Sequence, residues 1–317
     1  MQTEPLRRPG RAEVAPGVAR LRCAIVNVYF LGEPGGPWIL VDTGLPGFAR
    51  LIRKAAETRF GQGARPEAIV LTHGHFDHVG SLEALLRVWD VPVYAHEREL
   101  PFLTGAASYP PPDPWVGGGM ALSSPLFPRS PLHLGARVRA LHADFSLPAL
   151  PEWRWIHTPG HSAGHVSLFR DSDRVLVAGD AFVTTRQESL LSALLQRRKL
   201  SGPPAYFTPN WTDARASVER LAALEPEVAA TGHGVPMRGR RLQRGLKKLA
   251  KSFERRAVPR GGRYVGHAAY TDAEARQVAP PTPPRPRALS GLVATLLALW
   301  WLRRRRVRAH QQELHFG

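Results

Sequence analysis

Four side chains that could bind a metal ion lie within the hexapeptide His-Gly-His-Phe-Asp-His at residues 73–78. His73, His75 and His78 offer imidazole nitrogens and Asp77 offers a carboxylate, which are usual ligands of zinc and related divalent cations. A simple surface turn has no need for this density of donors. The hexapeptide therefore predicts a metal site.

The flanking sequence predicts that the hexapeptide joins a strand to a helix. Residues 68–72 form a short β-branched apolar run that is typical of a buried strand. Apolar residues then repeat at helical spacing over residues 79–89. A loop at the carboxyl end of a strand is a common position for a site in a layered α/β protein.

Three later strand-like runs also stop at a histidine or an aspartate. Residues 153–158 alternate between apolar and polar side chains before a Pro-Gly turn, and residues 174–178 and 228–231 are apolar runs that end at Gly-Asp and Gly-His. The residues reached in this way are His161, Asp180 and His233. The same arrangement of strand, tight turn and ligand type thus occurs four times.

The four segments HxHxDH, TPGHSAGH, AGDAF and TGHG, in this order, resemble the metallo-β-lactamase superfamily of hydrolases. The resemblance covers roughly residues 20–255 and implies an α/β fold, a four-layer αβ/βα sandwich, here with a carboxyl-terminal extension. It also implies a ligand set: one metal held by His73, His75 and His161, a second held by Asp77, His78 and His233, and Asp180 bridging both. His75 stands where the related flavodiiron proteins carry glutamate, which disfavours that branch.

Two divalent cations would explain the chemistry of such a site. A water held between cations about 3.5 Å apart loses a proton near neutral pH and becomes a nucleophile. Asp180 would bridge the cations, and Asp77 would orient the hydroxide or carry a proton to the leaving group. The donor types favour zinc, with iron or manganese as alternatives.

Two residues beside this set have structural alternatives. The resemblance implies that Asp42, in Val-Asp-Thr-Gly, fixes the metal-binding loop through hydrogen bonds, whereas a turn-initiating aspartate is an equally good interpretation. A single Asp-Thr-Gly is weak evidence for an aspartic protease. We expect His165 to satisfy hydrogen bonds in its turn rather than to bind metal.

A competing motif occurs at residues 160–164, Gly-His-Ser-Ala-Gly, which matches the nucleophile elbow of serine hydrolases. An elbow must pass from a strand into a helix, but residues 165–170 alternate like a strand. A nucleophilic Ser162 would also leave the histidines of the hexapeptide without a purpose. The motif therefore does not predict a serine hydrolase.

The length and composition of the chain predict one catalytic domain with further segments outside it. The chain has 317 residues, of which 43% are hydrophobic, enough for one large core. We predict a catalytic domain over 1–270, a proline-rich linker over 271–287, and an apolar segment with an arginine-rich tail over 288–317. Cys23 is the only cysteine, which excludes a disulfide within the chain and a cysteine-ligated metal.

The net charge of +17 is concentrated in two segments. Residues 1–235 carry 24 basic and 22 acidic side chains, whereas residues 236–263 carry 11 basic and one acidic. Within the second range, residues 240–256 predict an amphipathic helix whose apolar side packs on the domain. The alternative is a patch that attracts phosphates or acidic lipids.

The second basic segment follows an apolar stretch at the carboxyl end. A helix over 288–302 would extend about 22 Å, short of the roughly 30 Å hydrocarbon core of a bilayer, so we do not expect it to span. We hypothesise a peripheral contact of residues 288–308 with the inner membrane face, with a disordered or self-packed tail as the alternative. No hydrophobic segment occurs at the amino end, which predicts a cytoplasmic protein.

The long proline- and glycine-rich stretch over residues 100–150 is predicted to be a lid insertion that selects the substrate. Its candidate apolar contacts are Tyr109, Trp115 and Phe127, and a surface insertion without function is the alternative. Spacing also suggests that Tyr206 and Asn210 approach the site.

We predict hydrolysis of a small ester, lactone or thioester. Glyoxalase II has similar motifs, but no glutathione-binding domain follows His233 here, and acyl-homoserine lactonases have a tyrosine where this chain has Val183. Two other reactions remain open. The first is hydrolysis of a nucleic-acid phosphodiester, although the short span between Asp180 and His233 makes nucleic acid an unexpected partner. The second is the reaction of a mono-iron oxidoreductase similar to persulfide dioxygenases. The sequence makes no prediction of oligomeric state.

Overall fold

The computed structural model describes residues 11–271 and 277–281, which form two large β-sheets and one small strand pair. The first sheet consists, in both chain order and spatial order, of β1 (Arg11–Ala15), β2 (Val18–Cys23), β3 (Val26–Leu31), β4 (Ile39–Val41), β5 (Ala68–Val70), β6 (Val93–Ala95) and β7 (Val138–Ala140). The second sheet contains β8 (Ser146–Leu147), β9 (Leu150–His157), β10 (Val166–Arg170), β11 (Val175–Gly179), β12 (Val228–Thr231) and β13 (Met237–Arg238). The small pair is β14 (Tyr270–Thr271) and β15 (Gln277–Val278).

Strand direction changes within both sheets. In the first sheet the neighbouring pairs from β1–β2 to β3–β4 are antiparallel, whereas the pairs from β4–β5 to β6–β7 are parallel. In the second sheet only β11 and β12 are parallel neighbours. Loops at the carboxyl ends of parallel neighbours open at one edge of a sheet, and such edges are common positions for binding sites.

Most of the described helices pack on the outer faces of the two sheets. They are α1 (Ala49–Phe60), α2 (Phe76–Val79), α3 (Leu82–Leu86), α4 (Leu100–Leu103), α5 (Gly119–Ser123), α6 (Leu190–Leu195), α7 (Trp211–Ala223), α8 (Gly239–Lys251) and α9 (Phe253–Arg256). Ile52 of α1 packs with side chains of the first sheet, and Val218 of α7 and Leu246 of α8 pack with side chains of the second. The order helix, sheet, sheet, helix confirms the predicted αβ/βα sandwich.

Residues of alternating orientation build the three apolar layers. In β3, Val28 and Phe30 join the outer cluster of the first sheet, while Tyr29 and Leu31 join the core between the sheets. The same alternation occurs in the second sheet, where β11 is buried along its whole length. Strands covered on both faces read as continuous apolar runs, which is why these segments could be recognised from the sequence.

The helix predicted over residues 79–89 is in fact two short helices, α2 and α3. Gly80 lies between them and approaches the backbone of Leu45 and Pro46 so closely that a Cβ atom would collide with it. The Ser81 hydroxyl donates to the Leu45 carbonyl oxygen. These tertiary contacts interrupt the helix, although the apolar repeat continues through it.

The predicted helix over residues 240–256 is likewise divided, into α8 and α9, at Ser252. Leu242, Leu246 and Leu249 of α8 and Phe253 of α9 are buried against the second sheet. The cationic side chains therefore cover the outer surface of the domain, as expected of an amphipathic helix.

Residues 100–150 are more ordered than a proline- and glycine-rich loop would suggest. They contain α4, α5, β7 and β8, and Leu103 and Val138 are buried in the outer cluster of the first sheet. These apolar residues anchor the segment because their burial is favourable. The segment is therefore anchored to the first sheet, and its role as a lid stays a prediction.

The described residues up to Pro280 belong to one compact unit. The apolar segment and arginine-rich tail predicted over 288–317, and most of the linker predicted over 271–287, lie outside the described residues. Within the described part of the chain, no helix combines the length and apolar character needed to cross a bilayer.

Candidate metal centre

The seven residues of the predicted ligand set converge at one edge of the two sheets. The hexapeptide loop follows β5, His161 follows β9, Asp180 follows β11 and His233 follows β12. They fall into three groups whose ligand atoms lie within 4.8 Å of one another: His73, His75 and His161; His73, His78 and Asp180; and Asp77, His78 and His233. All seven side chains are buried.

Asp180 lies between the two predicted triads. Its Oδ2 atom is 3.5 Å from Nε2 of His161 in one triad, and 3.5 Å and 3.1 Å from Nε2 of His78 and of His233 in the other. Gly232 passes so close to Asp180 and His78 that no Cβ atom would fit there. One carboxylate is thus within reach of ligands from both triads.

The first triad consists only of histidines. Nδ1 of His75 faces Nε2 of His161 at 3.0 Å, and the His73 ring lies edge-on to both rings. Burial, reinforced by the neighbouring histidines, holds the pKa of His73 and His161 well below the usual value. Burial likewise lowers the pKa of His75 to about 4. Neutral imidazoles have free lone pairs for metal binding.

The second triad contains one carboxylate, that of Asp77, and lies beside a second, that of Asp180. Burial would lower the pKa of His233, but the Asp180 and Asp77 carboxylates outweigh it and raise the pKa to about 10. Burial opposes the charge of Asp77 and Asp180, yet the neighbouring His78 and His233 keep the pKa of each carboxyl below its usual value. This cluster therefore attracts positive charge.

Three buried atoms of the set support a metal site directly. Nε2 of His73, Nε2 of His78 and Oδ1 of Asp180 have no hydrogen-bond partner in the described structure. Buried polar atoms without partners are costly in a folded protein. Divalent cations would satisfy such lone pairs, so the residues present fit the metals that the sequence implies.

Asp42 contacts a residue of the set and is more than a turn former. Its Oδ1 accepts from the Thr72 backbone N–H at 2.8 Å, and its Oδ2 accepts from the Thr72 hydroxyl and from Nδ1 of His78, each at 2.8 Å. A carboxylate only accepts, so Nδ1 of His78 carries a hydrogen, and Nε2 is the ring nitrogen that would face a metal. The φ angle of 60° at Asp42 shows that the turn is present as well.

His165 uses both ring nitrogens in hydrogen bonds, as expected from the sequence. Its Nδ1 pairs with the Thr158 hydroxyl at 2.8 Å, and its Nε2 accepts from the Asp180 backbone N–H at 2.9 Å. Burial lowers the pKa of His165 to about 3. The ring therefore supports the Asp180 loop and has no nitrogen left for a metal.

Glu99 is a buried residue near the site that the sequence interpretation missed. Its Oε1 accepts from the Ser162 hydroxyl at 2.7 Å and from the Gly164 N–H at 2.9 Å; its Oε2 accepts from the Gly74 N–H at 3.0 Å and from the Tyr109 hydroxyl. Glu99 thus joins the hexapeptide loop to the loop of His161. One signal in the sequence was its place just beyond β6, another strand of the parallel edge.

Ser162, the centre of the elbow-like motif, donates its hydrogen to this carboxylate. The chain continues from the motif into the strand β10 and not into a helix. Both observations agree with the rejection of the serine hydrolase interpretation.

Aromatic side chains form one wall of the centre. Phe207 stacks on His75 at 4.7 Å between ring centroids, and the ring of Tyr109 lies 4.4 Å from that of His75. Phe127 contacts Phe76, Tyr206 and Phe207. Two of the three contacts predicted for the 100–150 segment, Tyr109 and Phe127, therefore adjoin the site.

The other residues predicted to approach the site differ in the groups that they contact. Tyr206 packs in the apolar cluster of Phe207, near the site. Asn210 instead accepts a hydrogen bond from the Asp213 N–H and caps α7, a role that its position before the helix explains. Trp115 is not among the residues that line the small cavity beside His75 and His161.

That cavity is lined by apolar and aromatic groups. Besides His75 and His161, its lining residues are Tyr109, Pro110, Pro111, Phe207, Pro209 and Tyr264. None of these described residues is a lysine or an arginine. The opening beside the first triad therefore lacks the cations that usually hold a phosphate group.

The sequence profile of the Metallo-beta-lactamase superfamily matches residues 21–233. The chain belongs to this superfamily. The probable metallo-hydrolase YflN of Bacillus subtilis (strain 168) is 51% identical over 241 residues, covering 75% of this chain and 91% of that relative. The probable metallo-hydrolase YybB of the same organism is 32% identical over 210 residues, covering 66% and 80%. These findings make the chain a metal-dependent hydrolase of the superfamily.

Solved structures agree with this assignment. The B3 metallo-beta-lactamase BLEG-1 has a TM-score of 0.50 and 25% identity, over 71% of this chain and 91% of that chain. A metallo-beta-lactamase family protein from Thermus thermophilus also has a TM-score of 0.50, at 21% identity over 76% and 81%. The second likeness concerns the fold alone.

Proposed function

We propose that this metallo-β-lactamase superfamily member binds two divalent cations and hydrolyses a small ester, lactone or thioester. The observation that carries the proposal is Asp180 Oδ2 lying within 3.5 Å of histidine nitrogens from both triads. The first cation would be held by His73, His75 and His161, and the second by Asp77, His78 and His233, with Asp180 between them. Nitrogen and oxygen donors without sulfur suit zinc, and also iron or manganese.

Cations bound at such a centre lower the pKa of water and withdraw electron density from a carbonyl oxygen. The protein itself orients the donors. Asp42 fixes the ring of His78, Glu99 fixes the loops around His75 and His161, and His165 holds the backbone of Asp180. Preorganised groups of this kind need little rearrangement during reaction.

Asp77 is the residue we propose for proton transfer. Its Oδ2 is 3.4 Å from Nε2 of His233, and its side chain is buried beside Asp180. A carboxylate there can accept a proton from the attacking water and return it to the leaving oxygen or sulfur. Asp77 thus has a proposed role in the reaction as well as in metal binding.

The lining of the centre favours a carboxylic substrate over a phosphodiester. His75 is flanked by the rings of Tyr109 and Phe207, and the cavity beside it has no cationic residue among its described lining. An apolar wall suits an acyl chain or a lactone ring, and it offers a phosphodiester no side-chain cation in addition to the metals. We therefore propose a small-molecule substrate and no nucleic acid.

The test combines elemental analysis with an activity panel of an ester, a lactone, a thioester and a phosphodiester. Wild-type protein should contain two cations per chain and lose activity to a chelator. Asp180→Ala should lower kcat/KM at least about a thousandfold, because both cations lose their shared ligand. Asp171→Ala, in the exposed turn that follows β10, is the matched control and should behave like wild type.

Other outcomes would redirect the proposal. A single iron per chain with turnover of a persulfide would support the mono-iron oxidoreductase. Hydrolysis of the phosphodiester alone, with binding to oligonucleotides that weakens steeply with salt, would support the phosphodiesterase. Full activity of Asp180→Ala would contradict both dinuclear hydrolysis and the proposed ligand set.

A further inference from the structure

The helix α6 buries its small residues and exposes its leucines. In the segment Leu-Leu-Ser-Ala-Leu-Leu, Ala193 is buried against the protein and Ser192 is half-buried. Leu190, Leu191, Leu194 and Leu195 are between 48% and 58% exposed. An amphipathic helix on a globular protein normally does the opposite, so packing among residues 11–271 and 277–281 does not explain these leucines.

Two more leucines extend this exposed surface. Leu122 of α5 is 67% exposed and Leu126, just after α5, is 85% exposed. The start of α5 packs on the residues before α6, because the Met120 N–H donates to the Glu188 carbonyl oxygen at 3.1 Å. We call the six residues the leucine surface: Leu122, Leu126, Leu190, Leu191, Leu194 and Leu195. Six exposed leucines on two neighbouring segments are unusual for a surface that meets only water, and exposed apolar groups of this kind are typical of interaction sites.

An arginine-lined cavity of about 420 Å³ lies near the end of α6. Its cationic lining residues are Arg20, Arg198, Arg238 and Arg241. Arg20 donates to the side chain of Gln196, the residue that ends α6, at 3.2 Å. The cavity and the leucines are therefore joined through the end of one helix.

The charge of this cavity is not neutralised by the part of the protein that the structure describes. None of its four arginines forms a salt bridge with a described carboxylate, and the one acidic residue in the lining, Glu13, pairs with Arg59 at 2.6 Å. Arginines are suited to phosphate because their planar guanidinium groups donate two parallel hydrogen bonds. An anionic phosphate group is the ligand that this cavity fits.

We propose that the leucine surface and the arginine cavity together dock the protein on a bilayer that contains anionic phospholipids. The leucines enter the boundary between headgroups and acyl chains, and the arginines hold lipid phosphates beside them. A symmetric dimer across this surface would bring two sets of unneutralised arginines to the same interface, which disfavours a second copy as the occupant.

The docking surface also lies close to the candidate metal centre. Met120 of α5 belongs to the apolar cluster of Tyr206 and Phe207, and Phe207 stacks on His75. The aromatic wall of the centre thus continues towards the leucines. Bilayer docking would bring that wall next to lipid, whatever the substrate is.

The test measures co-sedimentation of the full chain with two kinds of vesicle, phosphatidylcholine alone and phosphatidylcholine mixed with phosphatidylglycerol. Wild-type protein should bind the mixed vesicles more strongly, and the difference should shrink with added salt. The variant Leu191→Ser/Leu195→Ser should lose roughly tenfold in binding for each leucine. The variant Arg198→Ala/Arg241→Ala should lose about fivefold for each arginine.

A matched control removes one exposed leucine and one exposed cation from α1, on the outer face of the first sheet. Leu51→Ser/Lys54→Ala should bind vesicles like wild type. Circular dichroism melts of all variants check that folding is intact, as expected for exposed substitutions. Every variant keeps residues 288–317, so binding through that segment would be unchanged across the series.

Several results would overturn the proposal. Equal binding of the leucine variant and wild type would exclude the leucine surface as the contact. Absence of wild-type binding to the mixed vesicles would exclude docking on an anionic bilayer. A dimer that the leucine variant dissociates, seen by sedimentation velocity together with no vesicle binding, would assign the surface to a second copy of the chain.

Discussion

The two triads, called here the first and second halves of the candidate metal centre, differ in the side chains that form them. The first triad, His73, His75 and His161, contains no carboxylate, whereas the second contains Asp77 and lies closer to Asp180. Each half is supported by a buried carboxylate outside the set. Asp42 bonds directly to the ring of His78, while Glu99 bonds only to loop backbone and hydroxyl groups around the first triad.

The two halves therefore differ in the protonation of their histidines. Neutral histidines define the first half, in which burial lowers the pKa of all three imidazoles. Carboxylates define the second half, in which they raise the pKa of His233 to about 10. The carboxylates of the second half therefore favour a positively charged occupant, whether protons or a cation, and the first half depends on the exact placement of neutral donors.

Removing one histidine from each half should have the largest effect and should separate the halves. His161→Ala should lose the first cation and His233→Ala the second, each lowering kcat/KM at least about a thousandfold. Elemental analysis should find about one cation per chain in either variant. The exposed His142→Ala provides the control. Retention of both cations by either variant would contradict its place in the ligand set.

Asp42→Asn should have the next largest effect, on the second half alone. The amide would present an N–H group to Nδ1 of His78, forcing the hydrogen onto Nε2 and removing its lone pair. The affinity for the second cation should fall about a hundredfold, measured by calorimetric zinc titration of chelator-treated protein. Asp90→Asn, on an exposed loop, is the matched control.

An unchanged affinity in Asp42→Asn would mean that Asp42 only forms its turn. The alternative interpretation from the sequence would then be sufficient. A weaker first cation, with the second unaffected, would instead contradict the division of the centre into two halves.

The ligand set could be predicted from the sequence because strand, turn and ligand recur four times. Three of the strands are buried on both faces, so their apolar runs are conspicuous, and β9 shows the alternation of a half-buried strand. The ligands stand just after each strand. Glu99 could not be predicted in this way. Its partners, Gly74, Ser162 and Gly164, come from other loops, and two of its four hydrogen bonds are made with backbone groups that leave no trace in residue type.

Tertiary contacts also explain the other differences from prediction. The close approach of Gly80 to Pro46 divides a helix whose apolar repeat is continuous. The exposed leucines of α6 show the reverse case. The composition of this segment would suit a buried helix, but the described residues bury Ala193 fully and Ser192 in part, and leave the leucines exposed. The spacing of apolar residues and the composition of a segment predict that a helix or strand exists, but not which neighbouring segment it packs against.

Glu99→Gln should weaken the first half by a smaller amount. Glutamine has one carbonyl oxygen, so about half of the four donors around Glu99 would lose their acceptor. The affinity for the first cation should fall about tenfold, and stability should fall by about 2 kcal/mol. Zinc titration and urea unfolding measure the two quantities, with the exposed Glu83→Gln as the control.

The affinities distinguish positioning from general destabilisation. A Glu99→Gln protein that is less stable but binds both cations normally would show that Glu99 supports the fold without placing the first triad. Equal weakening of both cations would show that the halves are coupled through the loops.

Ser162→Ala should have the smallest effect of the series. It removes one of the four donors around Glu99 and leaves the Gly164 N–H on the same oxygen. The loss in kcat/KM should be less than about threefold, because the remaining hydrogen bonds still fix both loops. A serine nucleophile predicts the opposite, a nearly inactive variant of an enzyme that chelators leave active. Measuring kcat/KM of Ser162→Ala beside the chelator sensitivity of wild type therefore tests both the minor role of Ser162 and the metal dependence of the centre.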